Sequence, residues 1–342
     1  MKKVSLLTAA IIAGLSATAA NAADVYKGDN LNLAVGGRAE ARADFDKSSN
    51  DRTVADNSRA RLNIGATTEI ADGVNAKGFY ENEYNKDGLS ENRYLYVGVA
   101  GENNELQYGK TDGSLGIITD YTDILDAFGA EAGKKTATAD RAENQLLYIG
   151  NYGGLTVKAN LNGGGSTATV KSSDIFATAA NAGNLDKVSG TVDQGYGLAA
   201  KYQLGDLSFG AGYAYQKEVD VKSIDKSGTE TNLDDATSQN VLVGAGYQLN
   251  SVYLGALYTQ GQLLEQKYKG FEVASKYDLT EKVRLAATFQ QVKFDEAKDN
   301  KQNIAASVHY KFTNYFTTYA GISQDLKGDK DTAGRVGAIV TF

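Results

Sequence analysis

The chain contains no cysteine, no proline and no tryptophan among its 342 residues, and its single histidine is His309. Without cysteine, disulfide bonds and thiolate chemistry are excluded. One histidine is too few for a histidine-rich metal site, and we expect no metal or other cofactor. A net charge of −7 argues against nucleic acid as a partner. The absence of proline suits long strands, because proline cannot donate a hydrogen bond to a β-ladder.

A long hydrophobic run is also missing, and the longest apolar stretch lies near the start. Lys2 and Lys3 precede the mostly apolar residues 4–15, and Ala20-Asn21-Ala22 has the small-residue pattern of a cleavage site. The apolar stretch is too short for a membrane-spanning helix, and nothing later supplies one. We therefore predict a cleaved secretory signal peptide at residues 1–22 and a single domain at residues 23–342.

Residues 31–45, LNLAVGGRAEARADF, show the clearest pattern in the chain. Successive side chains of a strand point to opposite faces. One face of this strand is small and apolar, and the other carries charges of both signs. In a soluble protein the charged face would meet bulk water. In a transmembrane β-barrel it lines a water-filled lumen, while the apolar face meets lipid.

Alternating segments of this kind recur along the whole chain, joined by short turns in alternation with longer polar loops. A strand that crosses a bilayer needs about 9–11 residues, and bacterial barrels have an even number of strands. A propeller would show a repeat of about 40 residues, which is missing here. The sequence predicts sixteen strands, at residues 31–45, 57–70, 74–84, 92–100, 104–110, 144–150, 155–163, 195–204, 207–219, 239–249, 252–260, 270–277, 284–293, 302–311, 316–324 and 334–342.

Residues 104–128, NELQYGKTDGSLGIITDYTDILDAF, resemble the fifth strand and the inserted third loop of trimeric general porins. The resemblance is closest to the major porins of the vibrio type, and it covers the mature chain. It is most specific in the first half, and in the second half it rests mainly on strand rhythm. Further matching segments are GRAEAR at 37–42, NSRARL at 57–62, FYENEY at 79–84, NRYLYVG at 92–98, ADRAEN at 139–144 and the terminal Phe342.

The resemblance implies an all-β fold, a 16-stranded antiparallel transmembrane β-barrel with short periplasmic turns and long extracellular loops. Residues 111–141 would be the constriction loop, which folds inward and narrows the channel. The family's basic cluster on the wall matches Arg38, Arg61, Arg93 and Arg141, with the carboxylate of Glu83 among them.

The acidic side of the constriction also follows from the resemblance. Asp123 matches an acidic residue of the loop opposite the basic cluster. Enteric porins carry a glutamate directly before Phe-Gly, whereas this chain has Ala127 there, so Asp126 becomes the candidate for the missing carboxylate. Fixed cations that face fixed anions across a narrow gap create a strong transverse field, which admits polar solutes and disfavours apolar ones.

Two simpler interpretations remain open for these residues. The arginines could serve only to stiffen the wall by pairing with nearby carboxylates, which for Arg59, Arg61 and Arg93 would be Glu40, Glu69, Glu81 or Glu83. The inserted segment could be an ordinary surface loop, although its apolar side chains are better explained by packing against the inner wall (Ile117, Ile118, Tyr121, Ile124, Leu125 and Phe128). We expect His309 to be an interfacial or wall residue.

The predicted function is an outer-membrane porin of a Gram-negative bacterium, through which ions and small hydrophilic solutes diffuse passively. Acidic outer loops predict a mild preference for cations. The resemblance and the small outward residues Ala39, Ala41 and Ala43 imply a homotrimer. Other expected partners are outer-membrane lipid, lipopolysaccharide and the barrel-assembly machinery, which would recognise Phe342.

Three alternative functions would each need different features in the sequence. A substrate-specific sugar channel would use an aromatic track, and the lack of tryptophan argues against it. A surface-interaction protein, an adhesin or phage receptor, could act through loops 164–194 and 220–238 and could coexist with a pore. An enzyme is not expected, because a lone histidine without a nucleophile motif offers no catalytic cluster.

Overall fold

The structure is a computed structural model that describes residues 23–28, 30–46, 54–172, 183–295, 297, 300–327 and 331–342. The proposed signal peptide at residues 1–22 lies outside the described residues and stays a prediction. Within these ranges, no helix has the length and apolar character needed to cross a membrane.

Twenty strands of the described chain form one sheet. They are β1 (Ala23–Lys27), β2 (Leu31–Asp46), β3 (Val54–Asp56), β4 (Arg59–Ala71), β5 (Val74–Asn85), β6 (Ser90–Ala100), β7 (Asn104–Asp112), β8 (Arg141–Tyr152), β9 (Leu155–Asn162), β10 (Thr167–Lys171), β11 (Leu185–Leu204), β12 (Leu207–Asp225), β13 (Glu230–Asn232), β14 (Ala236–Leu249), β15 (Val252–Leu263), β16 (Gln266–Asp278), β17 (Val283–Phe294), β18 (Lys301–Lys311), β19 (Phe316–Asp325) and β20 (Thr332–Thr341). All but the short strands β1, β3, β10 and β13 form the barrel wall.

The wall closes on itself between its first and last strands. Each wall strand pairs antiparallel with the next, and β20 pairs with β2 from Thr341 opposite Arg38 to Ala333 opposite Asp46. Beyond β20, the backbone N–H of Phe342 donates to Gly37 O at 3.0 Å, and Gly37 N–H donates to Phe342 O at 2.8 Å. Closure removes the edges that a lipid-exposed sheet could not satisfy. The predicted 16-stranded antiparallel barrel is therefore confirmed.

Burial along the wall strands is inverted relative to a soluble protein, as β14 illustrates. Val241, Val243 and Tyr247 point outward and are exposed, whereas Asn240 and Leu242 point inward and are fully buried. Large exposed apolar side chains recur at alternate positions on the other wall strands, including Leu198, Val273, Ile304 and Ile322. This arrangement is typical of a barrel whose outer surface meets lipid.

The sequence-based prediction was wrong about one outer connection. Residues 261–269 were expected to be a loop, but β15 and β16 continue toward each other and are joined by the two residues Leu264 and Glu265. Both adopt positive φ, at 48° and 64°. Contacts with the neighbouring strand offset the strain: Leu264 N–H donates to Ser238 Oγ at 2.8 Å, and Glu265 Oε1 accepts from Thr237 N–H at 2.7 Å.

The segments 164–194 and 220–238 were expected to be loops, but their described parts contain strands, and residues 173–182 lie outside the described residues. β11 begins at Leu185 rather than Gly195, and its first half pairs with β10 and with the outer end of β12. The alternation that marks these strands in the wall continues here as a buried apolar set, which includes Val188, Val192 and Val221. The strands therefore extend beyond the wall and pack against one another by their inward side chains.

Candidate functional site

The inner faces of β2, β4 and β6 carry a dense set of arginines, and β5 contributes glutamates between them. We refer to the inner faces of β2, β4, β5 and β6 as the arginine wall. Register brings the charges together, because Arg38 lies opposite Arg61 across β2 and β4, and Arg61 lies opposite Glu83 across β4 and β5. Like charges directly opposite each other are unfavourable unless a counter-charge is near. Glu83 supplies it, with an ion pair to Arg61 and Oε2 at 3.6 Å from Arg59 Nη1 and 3.7 Å from Arg93 Nη1.

Glu40 is the second acidic centre of the arginine wall. Its carboxylate accepts from Arg42 Nη2 at 2.9 Å, from Arg59 Nε at 2.7 Å and from the Tyr319 hydroxyl at 2.6 Å. The nearest guanidinium nitrogen of Arg38 is 3.8 Å away from it, beyond hydrogen-bonding distance. Glu40 is 3% exposed, so its negative charge is stabilised by these hydrogen bonds rather than by bulk water.

A β-bulge turns Arg93 into the lumen. Tyr94 pairs with Glu81 and Asn92 pairs with Asn82, which leaves Arg93 as the extra residue between them. A bulge of this kind re-aims a side chain that strict alternation would direct outward. Arg93 Nε then donates to Glu81 Oε1 at 2.8 Å.

Arg141, the first residue of β8, meets this group through Tyr94. Its guanidinium lies over the Tyr94 ring, 5.2 Å from the centroid, and the Tyr94 hydroxyl donates to Asp112 Oδ1 at 2.7 Å. Arg141 Nη2 is also 3.7 Å from Glu91 Oε1. The four arginines that the sequence singled out thus stand on β2, β4, β6 and β8 of one side of the barrel, and each lies near at least one carboxylate.

Residues 113–140, between β7 and β8, form an inserted loop that lies against the opposite inner face. The loop contains a single helical turn, α1 (Gly116–Thr119), and a 3₁₀ turn at Ala137–Ala139. Ile117, Ile118 and Tyr121 pack against inward residues of β11, β14 and β15, including Leu242 and Leu257. The dense apolar set of this segment therefore packs inside the barrel rather than on its surface.

Inward side chains of the strands from β9 to β17 bind the backbone of the inserted loop, and we call this surface the loop-bearing wall. The side-chain oxygens of four amides and of one glutamate accept hydrogen bonds from loop N–H groups that would otherwise be buried without partners. The bonds run from Ser114 N–H to Asn160 Oδ1 (3.0 Å), Thr138 N–H to Gln216 Oε1 (3.0 Å), Thr136 N–H to Asn240 Oδ1 (2.6 Å), Glu131 N–H to Gln290 Oε1 (2.7 Å) and Ala130 N–H to Glu272 Oε1 (3.2 Å).

The tip of the inserted loop reaches across to β18 and β20. Asp126 Oδ2 lies 2.9 Å from His309 Nδ1. Arg335 donates to the carbonyl oxygen of Ala127, and its guanidinium lies over the Phe128 ring at 5.0 Å. Arg335 itself is fixed by Asp44, with Nε–Oδ1 and Nη2–Oδ2 distances of 2.6 and 2.8 Å.

The two acidic residues predicted for the loop are placed differently. Asp126 and Arg38 line one polar cavity of about 300 Å³, so this acid and this base share a water-accessible space. Asp123 is exposed on the same loop, but no ion pair joins it to an arginine within the described ranges. Its position opposite the basic cluster stays a prediction.

Several residues of this arrangement were missed or were treated only as simpler alternatives. Glu40, Arg42 and Asp44 belong to the charged face that alternation predicts for residues 31–45, together with Arg38, but they were not named among the constriction residues. No sequence signal marks His309 or Arg335 as partners of the loop tip, because both contacts join segments more than 180 residues apart. Within the part of the chain that the structure describes, no group of three or more acidic or histidine side chains is placed to hold a metal ion.

Comparison with known proteins shows the family of the chain. Residues 7–330 match the Gram-negative porin family. The chain belongs to that family. Outer membrane protein U of Vibrio parahaemolyticus is 32% identical over 365 residues, which cover 100% of this chain and 95% of that protein. Porin-like protein L of Photobacterium profundum is 33% identical over 343 residues, covering 94% and 92%.

Among solved structures, Salmonella typhi OmpF in complex with daunomycin superposes with a TM-score of 0.75, covers 94% of this chain and 100% of that one, and is 19% identical. At this identity the likeness shows the fold alone. Since the chain belongs to the Gram-negative porin family and is similar to outer-membrane proteins along its length, it is an outer-membrane porin, a β-barrel channel of a Gram-negative bacterium. Family and fold both point to a channel rather than to an enzyme.

Proposed function

We propose that solutes cross this porin through a charged constriction between the arginine wall and the tip of the inserted loop. The observation that supports it most is the unequal covering of the two walls. The loop lies on the loop-bearing wall, while the side chains of Arg38, Arg59 and Arg93 stay 16–24% exposed. The residues of the constriction would be Arg38, Arg61, Arg93, Arg141, Glu83, Asp123 and Asp126.

The ion pairs of the arginine wall make it both rigid and polar. Guanidinium groups remain charged, and their several donors stay fixed when neighbouring carboxylates hold them. A small hydrophilic solute that enters the gap can exchange water for these fixed donors, whereas an apolar solute finds no such match. Low-dielectric walls focus the field between the charges, which strengthens this discrimination.

Ion preference would be mild and would favour cations. Five arginines of the wall (Arg38, Arg42, Arg59, Arg61 and Arg93) face three wall glutamates, and the inserted loop adds five acidic residues against two lysines. These charges nearly cancel, so the acidic chain around the constriction decides the sign. A net charge of −7 would enrich cations near the mouths.

We infer that the protein acts as a homotrimer in contact with outer-membrane lipid and lipopolysaccharide. Ala39, Ala41 and Ala60 lie on the outer face of β2 and β4, beside the closure with β20, where they leave a shallow apolar groove. Small side chains allow another barrel wall to approach closely. The exposed aromatic ring of Phe342 at the end of the closing strand is placed where the barrel-assembly machinery could recognise it.

Conductance of purified protein in a planar bilayer under a salt gradient tests this proposal. We expect current steps in groups of three and a small cation preference in the wild type. Arg61→Ser should increase the preference for cations and Asp123→Asn should reduce it, while Asp206→Asn in the β11–β12 turn should change neither. If neither Arg61→Ser nor Asp123→Asn changes the cation preference, the charged constriction is contradicted. The absence of conductance in folded protein would contradict diffusion itself.

A further inference from the structure

The lone histidine lies inside the channel, in contact with the tip of the inserted loop. His309 is 7% exposed and lies on the inward face of β18. Its Nδ1 is 2.9 Å from Asp126 Oδ2, and its Nε2 is 3.3 Å from Ser307 Oγ. Its ring stacks on Tyr319, with centroids 5.9 Å apart and planes inclined by 24°. Both ring nitrogens and one ring face therefore have partners that fix its orientation.

The carboxylate of Asp126 is far more exposed to the channel water than the ring of His309. The Asp126 side chain is 51% exposed, whereas that of His309 is 9% exposed. The pair lines the same polar cavity as Arg38. A change of charge on His309 would therefore act on ions through Asp126, at the place where the loop approaches the arginine wall.

We propose that His309 is a specificity-determining residue that makes the ion preference of the channel depend on pH. Histidine is the side-chain type whose charge changes between pH 5 and pH 8. When His309 is protonated it offsets the charge of Asp126. When it loses the proton, it no longer offsets the charge of the carboxylate beside the conduction path, and cations are favoured. This inference rests on the proposed constriction.

Other charged groups face His309 from each neighbouring element. Arg284 lies opposite it on β17 and is held by Asp278 at 2.7 Å. Tyr319 lies opposite it on β19, and its hydroxyl is engaged by Glu40. The cavity is further lined by Arg38 from β2, by Lys311 from β18 and by the turn residues Glu281 and Lys282. Arginine and lysine stay charged throughout pH 5–8, and aspartate and glutamate ordinarily stay ionised, so these groups set a background rather than the change.

The test is the cation-to-anion permeability ratio, measured from reversal potentials between pH 5 and pH 8 in untagged protein. In the wild type the ratio should rise with pH by about fivefold, which is the Boltzmann factor for two unit charges about 4 Å apart in water. His309→Gln should remove most of that rise and hold the ratio near its high-pH value. Lys311→Gln, in the same cavity, should shift the ratio by a similar factor at every pH and leave the rise intact.

Two further measurements keep this inference separate from the constriction itself. Arg61→Ser should shift the ratio at every pH. If it does so while His309→Gln leaves the rise unchanged, the role of His309 is wrong and the constriction stands; if neither variant has an effect, the constriction is wrong as well. Should His309→Gln fail to fold, NMR of the single histidine in labelled wild-type protein replaces it. Its titration must coincide with the change in permeability ratio, and a titration outside the interval in which the ratio changes would overturn the inference.

Discussion

The two inner walls of this barrel follow the same alternation but use it in different ways. On the arginine wall the inward positions carry long charged side chains, joined by ion pairs such as Arg59–Glu40 and Arg93–Glu81. On the loop-bearing wall they are mostly small, apolar or neutral, and they satisfy the backbone of the inserted loop. The inward residues of a strand therefore depend on what covers them: they are charged where water remains, and they are glycine and amides where the chain itself folds over.

The largest effect should come from filling the loop-bearing wall where the loop touches it. A Cβ at Gly255 would overlap the carbonyl oxygen of Tyr121, whereas a Cβ at Gly78 on β5 meets nothing within 4 Å. Overpacking of this kind costs about 3 kcal/mol or displaces the segment. We expect Gly255→Ala to lower the free energy of unfolding in detergent micelles or to raise single-channel conductance, and Gly78→Ala to do neither. Equal behaviour of the two variants would show that the loop does not press on this strand.

The next effect concerns the counter-charge of the arginine wall. Glu83→Gln leaves Arg59, Arg61 and Arg93 without the carboxylate that they share. Loss of a hydrogen bond to a charged group costs about 2 kcal/mol, and the uncompensated arginines should move the reversal potential toward anion preference. Glu69→Gln is the matched control, since Glu69 lies on the inward face of β4 but is exposed near its end. A Glu83→Gln channel with unchanged selectivity would mean that these arginines do not border the conduction path.

A smaller effect is expected from a single amide anchor. Gln290→Met removes the acceptor for Glu131 N–H and leaves that donor unsatisfied at the loop, at a cost of about 1 kcal/mol. Because other anchors remain, the barrel should stay folded while the loop fluctuates more, which would be seen as increased open-channel current noise. Gln291→Met, one position along β17, loses only a bond to Gln302 and should leave the noise unchanged. Equal noise in the two variants would contradict the anchoring role.

Alternation was enough to predict the barrel because every wall strand repeats it. The Gly205-Asp206 dipeptide, a two-residue hairpin signal, correctly placed the connection between the predicted strands 195–204 and 207–219, where Leu204 pairs with Leu207. Alternation failed at Leu264 and Glu265, since nothing local announces a tight turn between two residues that rarely adopt positive φ. There the turn is stabilised by Ser238 and Thr237 on a different strand, which local propensity does not describe.

The candidate site was only partly accessible to the same reasoning. Charges on the inward face of β2 and β4 follow from parity, and a resemblance to known porins singled out four arginines. Arg93 reaches the lumen through a bulge, which a two-residue period cannot foresee. The contact of Asp126 with His309 depends on where the tip of a 28-residue loop lies inside the closed barrel. Such long-range contacts depend on the three-dimensional path of the chain.

Because the chain has no cysteine, a single introduced thiol can be used without background to compare water access to the two walls. We would react Arg61→Cys and Leu242→Cys, each in folded protein, with a neutral water-soluble maleimide and follow the rate of modification and the channel current. Leu242 is 0% exposed beneath the inserted loop, whereas Arg61 lies on the arginine wall. If the inserted loop covers only the loop-bearing wall, Arg61→Cys should be modified rapidly with a reduced current, and Leu242→Cys should not react. Equal rates at the two positions would contradict the distinction between a covered and an uncovered wall.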